Sequence, residues 1–91
     1  MEHVGKSFKQ LAPNEVSQYA KDIRKAIRGL GTNEEKVYST FKKFWNKLNI
    51  SQVAAYYYQE YKSDMMTDIM NDLKEKEKAI LYQIINNLPK S

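Results

Sequence analysis

Apolar residues recur at three- and four-residue steps along most of this 91-residue chain, and this spacing predicts amphipathic helices. The first predicted helix follows Pro13, has Asn14 as its N-cap and runs to about Arg28. Gly29 and Gly31 are expected to end it, because glycine readily adopts the positive φ that helix C-termini often need. Its apolar side consists of Val16, Tyr19, Ala20, Ile23, Ala26 and Ile27.

A capping box predicts the start of a second helix. Thr32 is expected to accept from one free backbone amide, and Glu35 to reach back to the amide of Thr32. The apolar side is expected to continue as far as Leu48, which places Trp45 beside Phe44 in the core. That side consists of Val37, Tyr38, Phe41, Phe44, Trp45 and Leu48.

Three more helices are predicted in the second half of the chain. Residues 49–51 interrupt the pattern, and Ser51 is expected to cap a third helix with Val53, Ala54, Tyr57, Tyr58 and Tyr61 in the core and Tyr56 at the rim. Ser63 is expected to cap a fourth, with Met65, Met66, Ile69, Met70 and Leu73 facing inward. Residues 74–78 open a fifth, which buries Ala79, Ile80, Leu81, Ile84, Ile85 and Leu88 and is ended by Pro89.

Five helices with short connections predict an all-α bundle. No alternating strand pattern, low-complexity segment or internal duplication is visible. We therefore expect a polar N-terminal arm at residues 1–13 and one helical domain at residues 14–91. The length leaves no room for a second core.

Composition narrows the possible functions. The chain has no cysteine, so thiolate metal sites and cysteine nucleophiles are excluded. His3 is the only histidine, it falls in the arm, and no motif of a known catalytic type is present. The chain also lacks a long apolar run and the apolar segment of a signal peptide. We expect a soluble protein that is not an enzyme and is not exported by a signal peptide.

The net charge of +4 favours contact with anionic surfaces without selecting one. Trp45 is surrounded by Lys42, Lys43 and Lys47, a combination that could bind nucleic acid by stacking on bases. The competing interpretation places Trp45 in the core, and we favour it, so nucleic acid is not the expected partner. The acidic residues at 64, 68 and 72 are interpreted as a solvated helix face rather than as catalytic carboxylates.

The corner at residues 28–32, Arg-Gly-Leu-Gly-Thr, has a further chemical possibility. A Gly-x-Gly loop can turn several carbonyl oxygens toward one point, and Ca²⁺ binds carbonyl oxygens together with a carboxylate. The loop has no suitably placed carboxylate of its own. Asp72, at the far end of the fourth predicted helix, could supply one if the two ends meet.

The residues 29–35, Gly-Leu-Gly-Thr-Asn-Glu-Glu, and the later run 63–73 resemble one annexin repeat. The similarity covers roughly Ala20 to Leu88. It implies a five-helix right-handed superhelix. It also implies a Ca²⁺ site formed by the carbonyls of Ile27, Gly29 and Gly31 and the carboxylate of Asp72, through which such repeats bind anionic phospholipid.

The chain contains a single copy of this repeat, whereas annexins join four or more. A solitary repeat exposes faces that neighbouring repeats would cover. Two hypotheses therefore remain open. One is a structural or interaction module, self-associating or bound to protein partners in a larger assembly such as a bacteriophage virion, and located in the virion or the host cytoplasm. The other is Ca²⁺-dependent binding to anionic membranes through the corner at residues 28–32. Under the first hypothesis, this corner serves only as a helix junction.

Overall fold

The computed structural model describes residues 9–90 of the chain, and this part is entirely helical. The five helices are α1 (Pro13–Arg28), α2 (Glu34–Lys42), α3 (Lys47–Tyr61), α4 (Met65–Asp72) and α5 (Glu75–Asn86). The prediction of an all-α fold with five helices is confirmed for these residues. The expectations for His3, Phe8 and the rest of the first eight positions lie outside them.

Helix α1 is central to the packing. It contacts α2, α3 and α4, while α5 packs on α2 and α4 packs on α3. The interior consists of Leu11, Ala20, Ile23, Ala26, Ile27, Val37, Tyr38, Phe41, Phe44, Val53, Tyr57, Met65, Ile69, Leu73 and Leu81. Burial of this apolar surface is the main favourable term in folding. None of the helices in the described residues is long and apolar enough to cross a membrane.

Helix α1 begins one residue earlier than its predicted cap. Ala12 is the N-cap and Pro13 the first helical residue, so the assignment of Asn14 as cap is wrong. Proline suits this position because its fixed φ is helical and its missing N–H would have no partner there. Glu15 Oε1 accepts from the Ala12 backbone amide at 2.9 Å, which fixes the helix start.

The corner between α1 and α2 is capped by a different side chain from the one expected. Asn33 Oδ1 accepts from the Lys36 backbone amide at 3.2 Å, so Asn33 and not Thr32 is the N-cap. The Asn33 amide in turn donates to the Ala26 carbonyl at 2.9 Å, which closes the loop onto α1. Thr32 is thereby released for a longer-range contact, described below.

The corner between α2 and α3 departs furthest from expectation. Helix α2 ends at Lys42 and α3 begins at Lys47, with Asn46 as its cap, so Ser51 lies inside a helix. Trp45 and Leu48 are consequently on the surface, with exposed fractions of 52% and 43%. The prediction that both belong to the core is wrong.

The short corner before α4 is held by polar side chains. Lys62 adopts a left-handed conformation with φ of 55°, and its amide donates to the Tyr58 carbonyl. Asp64, not Ser63, caps α4, since Asp64 Oδ2 accepts from the Thr67 amide at 2.9 Å. The Thr67 backbone and hydroxyl donors hold the pKa of the Asp64 carboxyl below its usual value.

The outer helices bury less than their apolar content suggests. In α3, Tyr57 is buried but Tyr58 is exposed, while Tyr56, expected at the rim, is half-buried against the core. In α5 only Leu81 is fully buried, and Ala79 and Ile80 are exposed. Helix α5 carries apolar residues on more than one side, and its contacts with the other helices cover only some of them.

We expect Gly31→Val to lower the free energy of unfolding by about 1–3 kcal/mol. Gly31 has φ of +75°, which a β-branched residue adopts at a cost, although no atom would crowd a Cβ there. Gly31→Asn is the matched control, because asparagine tolerates this conformation. Denaturant unfolding should therefore rank the asparagine variant nearer to the parent chain, and equal losses in both would contradict a conformational cause.

Candidate functional site

The loop between α1 and α2 meets the end of α4. Thr32 Oγ1 lies 2.9 Å from Asp72 Oδ2 and 3.2 Å from the Asp72 carbonyl oxygen. A residue forty positions away along the chain therefore reaches the Gly-Leu-Gly corner. The sequence left open whether these two ends meet, and in the structure they do.

The remaining residues of the predicted Ca²⁺ site lie on the same loop. Ile27 is buried in the last turn of α1, while Gly29 and Gly31 are exposed. In the described residues, no group of three or more acidic or histidine side chains is placed to hold a metal ion. A cation at this corner would be held mainly by backbone carbonyls, with Asp72 as the single carboxylate, and the Ca²⁺ site stays a prediction.

Leu30 is the most exposed large apolar residue in the described part of the chain, with no part of its side chain covered. It lies between the two glycines at the tip of the loop. Isolated exposed leucines are ordinary on protein surfaces. Beside a potential cation site, the same residue would also be available to enter an apolar environment.

A second polar cluster joins three helices, and sequence reasoning missed it. Asp68 Oδ2 accepts from the Tyr57 hydroxyl at 2.8 Å, and Asp68 Oδ1 accepts from the Ser63 hydroxyl at 2.8 Å. Arg24 Nη1 lies 2.9 Å from the Tyr57 hydroxyl oxygen and 3.5 Å from Asp68 Oδ2. The Arg24 guanidinium also covers the Tyr61 ring, with its carbon 4.6 Å from the ring centroid.

This cluster, which we call the Arg24–Tyr57–Asp68 network, is a structural clamp. Each of its three groups uses its polar atoms on the others, and it connects α1, α3 and α4. Asp68 is half-buried here, so the interpretation of positions 64, 68 and 72 as one solvated acidic face is wrong. Periodicity could not have indicated the network, because its members lie on three separate helices.

Burial raises the pKa of Tyr57 above its ordinary value of 10.0; the hydrogen bond from Arg24 opposes this shift and the one to Asp68 adds to it. Burial also raises the pKa of Tyr19, helped by Glu15 and Asp22. Tyr38 shifts in the same direction, again chiefly through burial. All three phenols are thus held in their neutral form in the folded chain.

We expect stability to fall as the pH rises above about 10. The unfolded chain loses its phenolic protons at the ordinary pKa, while the folded chain retains them to higher pH. The stabilisation that comes from the raised pKa values of these tyrosines is therefore fully present below about pH 10. It is lost as the pH rises through the pKa values of the folded chain. Denaturant unfolding at a series of alkaline pH values measures this loss.

Tyr57→Phe should make that alkaline decline shallower, because it removes one of the shifted phenols. Tyr58→Phe is the control, since Tyr58 is exposed and has no partner in the network. An identical pH dependence in the parent chain and Tyr57→Phe would contradict the assignment of the decline to Tyr57.

An open groove lies between α4 and α5. It has a volume of about 370 Å³ and is lined by Met66, Thr67, Met70, Asn71 and Tyr82. Two flexible methionine side chains and an exposed tyrosine ring form its apolar part. The sequence predicted both methionines as inward-facing, and they are half-buried at this groove.

Comparison with protein-family models, with curated proteins and with solved structures found no match. The interpretation of the loop, the network and the groove therefore depends on the geometry of the described residues.

Proposed function

We propose that this chain is a non-enzymatic helical interaction module, a small subunit of a larger assembly such as a bacteriophage virion. One observation carries the proposal: α5 leaves large apolar side chains exposed on the surface. Ile80 and Tyr82 are exposed, with fractions of 44% and 51%. Apolar surface concentrated on one element favours a protein contact there.

The groove between α4 and α5 supplies the docking position. Methionine side chains adapt their shape to different apolar partners, and tyrosine combines apolar area with a hydroxyl that can remain hydrated. Thr67 and Asn71 add polar groups along the rim. This combination suits the apolar face of an amphipathic helix, whose side chains would enter between Met70 and Tyr82.

Two measurements test the proposal. Light scattering after size-exclusion chromatography reports self-association, which Tyr82→Glu should weaken and Tyr58→Glu, an exposed residue outside the groove, should leave unchanged. Mass spectrometry of purified particles from the source organism reports incorporation into an assembly. A chain that remains monomeric and occurs only free of any assembly would contradict the proposal.

The second candidate function is Ca²⁺-dependent binding to anionic membranes through the loop at residues 28–32. The contact between Thr32 and Asp72 favours it, because it brings a carboxylate to a loop whose residues 28–31 are exposed. Leu30 at the loop tip supports it further. A bound Ca²⁺ would bridge these oxygens to lipid phosphates, and the loop residues would orient it.

Co-sedimentation with phosphatidylserine vesicles, with and without Ca²⁺, separates this function from the first. Asp72→Asn should abolish Ca²⁺-dependent binding with little loss of stability, since the amide oxygen can still accept from Thr32. Glu35→Gln, which removes an exposed charge from the same end of α2, should have little effect. Binding that is equal with and without Ca²⁺ would exclude this function.

A further inference from the structure

Both described ends of the chain are fixed at the corner between α2 and α3. The Lys9 carbonyl oxygen accepts from Asn46 Nδ2 at 3.1 Å and from Asn49 Nδ2 at 3.2 Å. The Lys47 backbone amide donates to the Pro89 carbonyl at 2.7 Å, and the Lys47 ammonium donates to the Leu88 carbonyl. We call this region, formed by residues 9–13, 42–50 and 87–90, the terminal corner.

The terminal corner is positively charged. Its three segments contain five lysines and neither aspartate nor glutamate. The nearest acidic residue along the described chain is Glu15, and its Oε1 is hydrogen-bonded to the Ala12 amide. Four of the lysines are exposed: Lys9, Lys42, Lys43 and Lys90. Clustered exposed lysines create a positive local potential that attracts anionic surfaces.

Two large apolar side chains of the terminal corner, Trp45 and Leu48, are exposed. Asn46 and Asn49 are buried, and this orientation of the first turn of α3 turns Trp45 and Leu48 outward. The Lys9 ammonium lies 4.4 Å from the centroid of the Trp45 ring. An exposed indole and an exposed leucine on segments that also carry lysines form a combination found on proteins that lie in a membrane interface.

We propose that the terminal corner binds anionic phospholipid surfaces without Ca²⁺. The corner is distinct from the Gly-Leu-Gly loop, which precedes α2 while the corner follows it. On this surface the lysines contact lipid phosphates and carboxylates, and Trp45 and Leu48 enter the headgroup region. This inference does not depend on the proposed function.

Three features favour a lipid surface over single-stranded nucleic acid. Stacking on a base needs a free ring face, and one face of Trp45 is already covered by the Lys9 ammonium. All the basic residues here are lysines, whereas arginine is the residue suited to bidentate phosphate recognition. Leu48 adds apolar surface that contributes to insertion and nothing to stacking.

Trp45 is the only tryptophan in the chain, so its fluorescence reports directly on the proposed site. In buffer containing EGTA, vesicles of phosphatidylcholine with phosphatidylserine should shift its emission to shorter wavelength and carry the protein into the pellet. Vesicles of phosphatidylcholine alone should do neither. High salt should release the protein, because screening weakens the attraction of the lysines.

Variants locate the site by co-sedimentation. Trp45→Ala should lower binding to the anionic vesicles about tenfold through loss of buried apolar area. The double variant Lys42→Gln, Lys43→Gln should lower it roughly tenfold or more. The control double variant Lys21→Gln, Lys76→Gln changes the net charge equally at exposed positions outside the corner and should have a much smaller effect. Circular dichroism verifies that each variant folds.

Three results would overturn the inference. The first is an absence of vesicle binding in EGTA. The second is an equal loss of binding in the two lysine double variants, which would show that binding depends on the net charge of the protein and not on the terminal corner. The third is quenching of Trp45 by single-stranded DNA with no response to anionic vesicles, which would assign the corner to nucleic acid.

Discussion

Asp68→Ala is expected to lower the free energy of unfolding by about 3 kcal/mol. The Asp68 carboxylate accepts from the Tyr57 and Ser63 hydroxyls at 2.8 Å each, and Arg24 Nη1 lies 3.5 Å away. Removing it leaves the Tyr57 and Ser63 hydroxyls without their acceptor and the Arg24 guanidinium without its counter-ion. The side chains of Arg24 and Asp68 are 26% and 20% exposed, so water compensates only part of this loss.

Two smaller changes in the same network provide the scale for that loss. Ser63→Ala removes one hydrogen bond to Asp68 and should cost about 1 kcal/mol, whereas Tyr57→Phe also removes the hydroxyl that accepts from Arg24 and should cost about 1–2 kcal/mol. Denaturant unfolding, analysed with one m-value for all three variants, measures their free energies of unfolding. A loss in Asp68→Ala no larger than that in Ser63→Ala would contradict the view that Asp68 organises the network.

A double-mutant cycle isolates the charge contribution. In the background of Arg24→Met, the Asp68→Ala change should cost less than in the parent chain, because no guanidinium remains to be left unpaired. Methionine retains much of the apolar length of the arginine side chain without its charge. Equal costs in the two backgrounds would assign the effect to the hydroxyl partners alone.

The helices themselves were predictable, because each carries an apolar stripe at helical spacing. Ala20, Ile23 and Ile27 on α1 and Val37 and Phe41 on α2 are buried as expected. Such stripes are encoded locally, since adjacent turns of one helix place these side chains on one face. The existence of five helices followed from this pattern without knowledge of their packing.

The corners were not predictable, because several neighbouring polar residues could each serve as a cap. Thr32 and Asn33 both suit an N-cap, and the choice depends on whether Thr32 has another partner. Asp72 provides that partner from forty residues away. Only the folded arrangement brings the two together, so the local sequence cannot decide between the caps.

Trp45 shows the same limitation for an apolar residue. Its spacing from Phe41 fits the α2 stripe, but the helix ends at Lys42 and the stripe no longer determines where the indole points. Burial of two asparagines at the start of α3 then directs Trp45 outward. The sequence identified Asp72 as a candidate partner of the loop but left open whether the two meet. The Arg24–Tyr57–Asp68 network had no signal in the sequence.

Asn49→Ala is the second substitution with a large expected effect, about 2–3 kcal/mol of lost stability. Asn49 is completely buried, and its Oδ1 accepts from the Trp45 amide at 2.7 Å. Its Nδ2 lies 3.2 Å from the Lys9 carbonyl and 3.0 Å from Gln52 Oε1. Alanine would leave a backbone donor and two acceptors with fewer partners at a partly buried site.

Ser51→Ala is the matched control for this change. Ser51 lies two residues after Asn49 on the same helix, but it is exposed and makes no hydrogen bond that fixes the corner. Its replacement should change stability by less than about 0.5 kcal/mol. Sequence pattern alone would assign the larger effect to Ser51 as a helix cap, so the pair of variants decides between the two descriptions of this corner.

Hydrogen exchange adds a local measurement to the global one. The Leu11 amide donates to Gln52 Oε1 at 3.0 Å, and Gln52 is oriented in turn by Asn49. In Asn49→Ala the Leu11 amide should exchange faster relative to the amides of α1, because the segment before Pro13 is released from α3. The Leu11 amide could instead keep its protection while global stability falls by the full expected amount. That result would show that Asn49 acts through the start of α3 and not by holding the segment before Pro13.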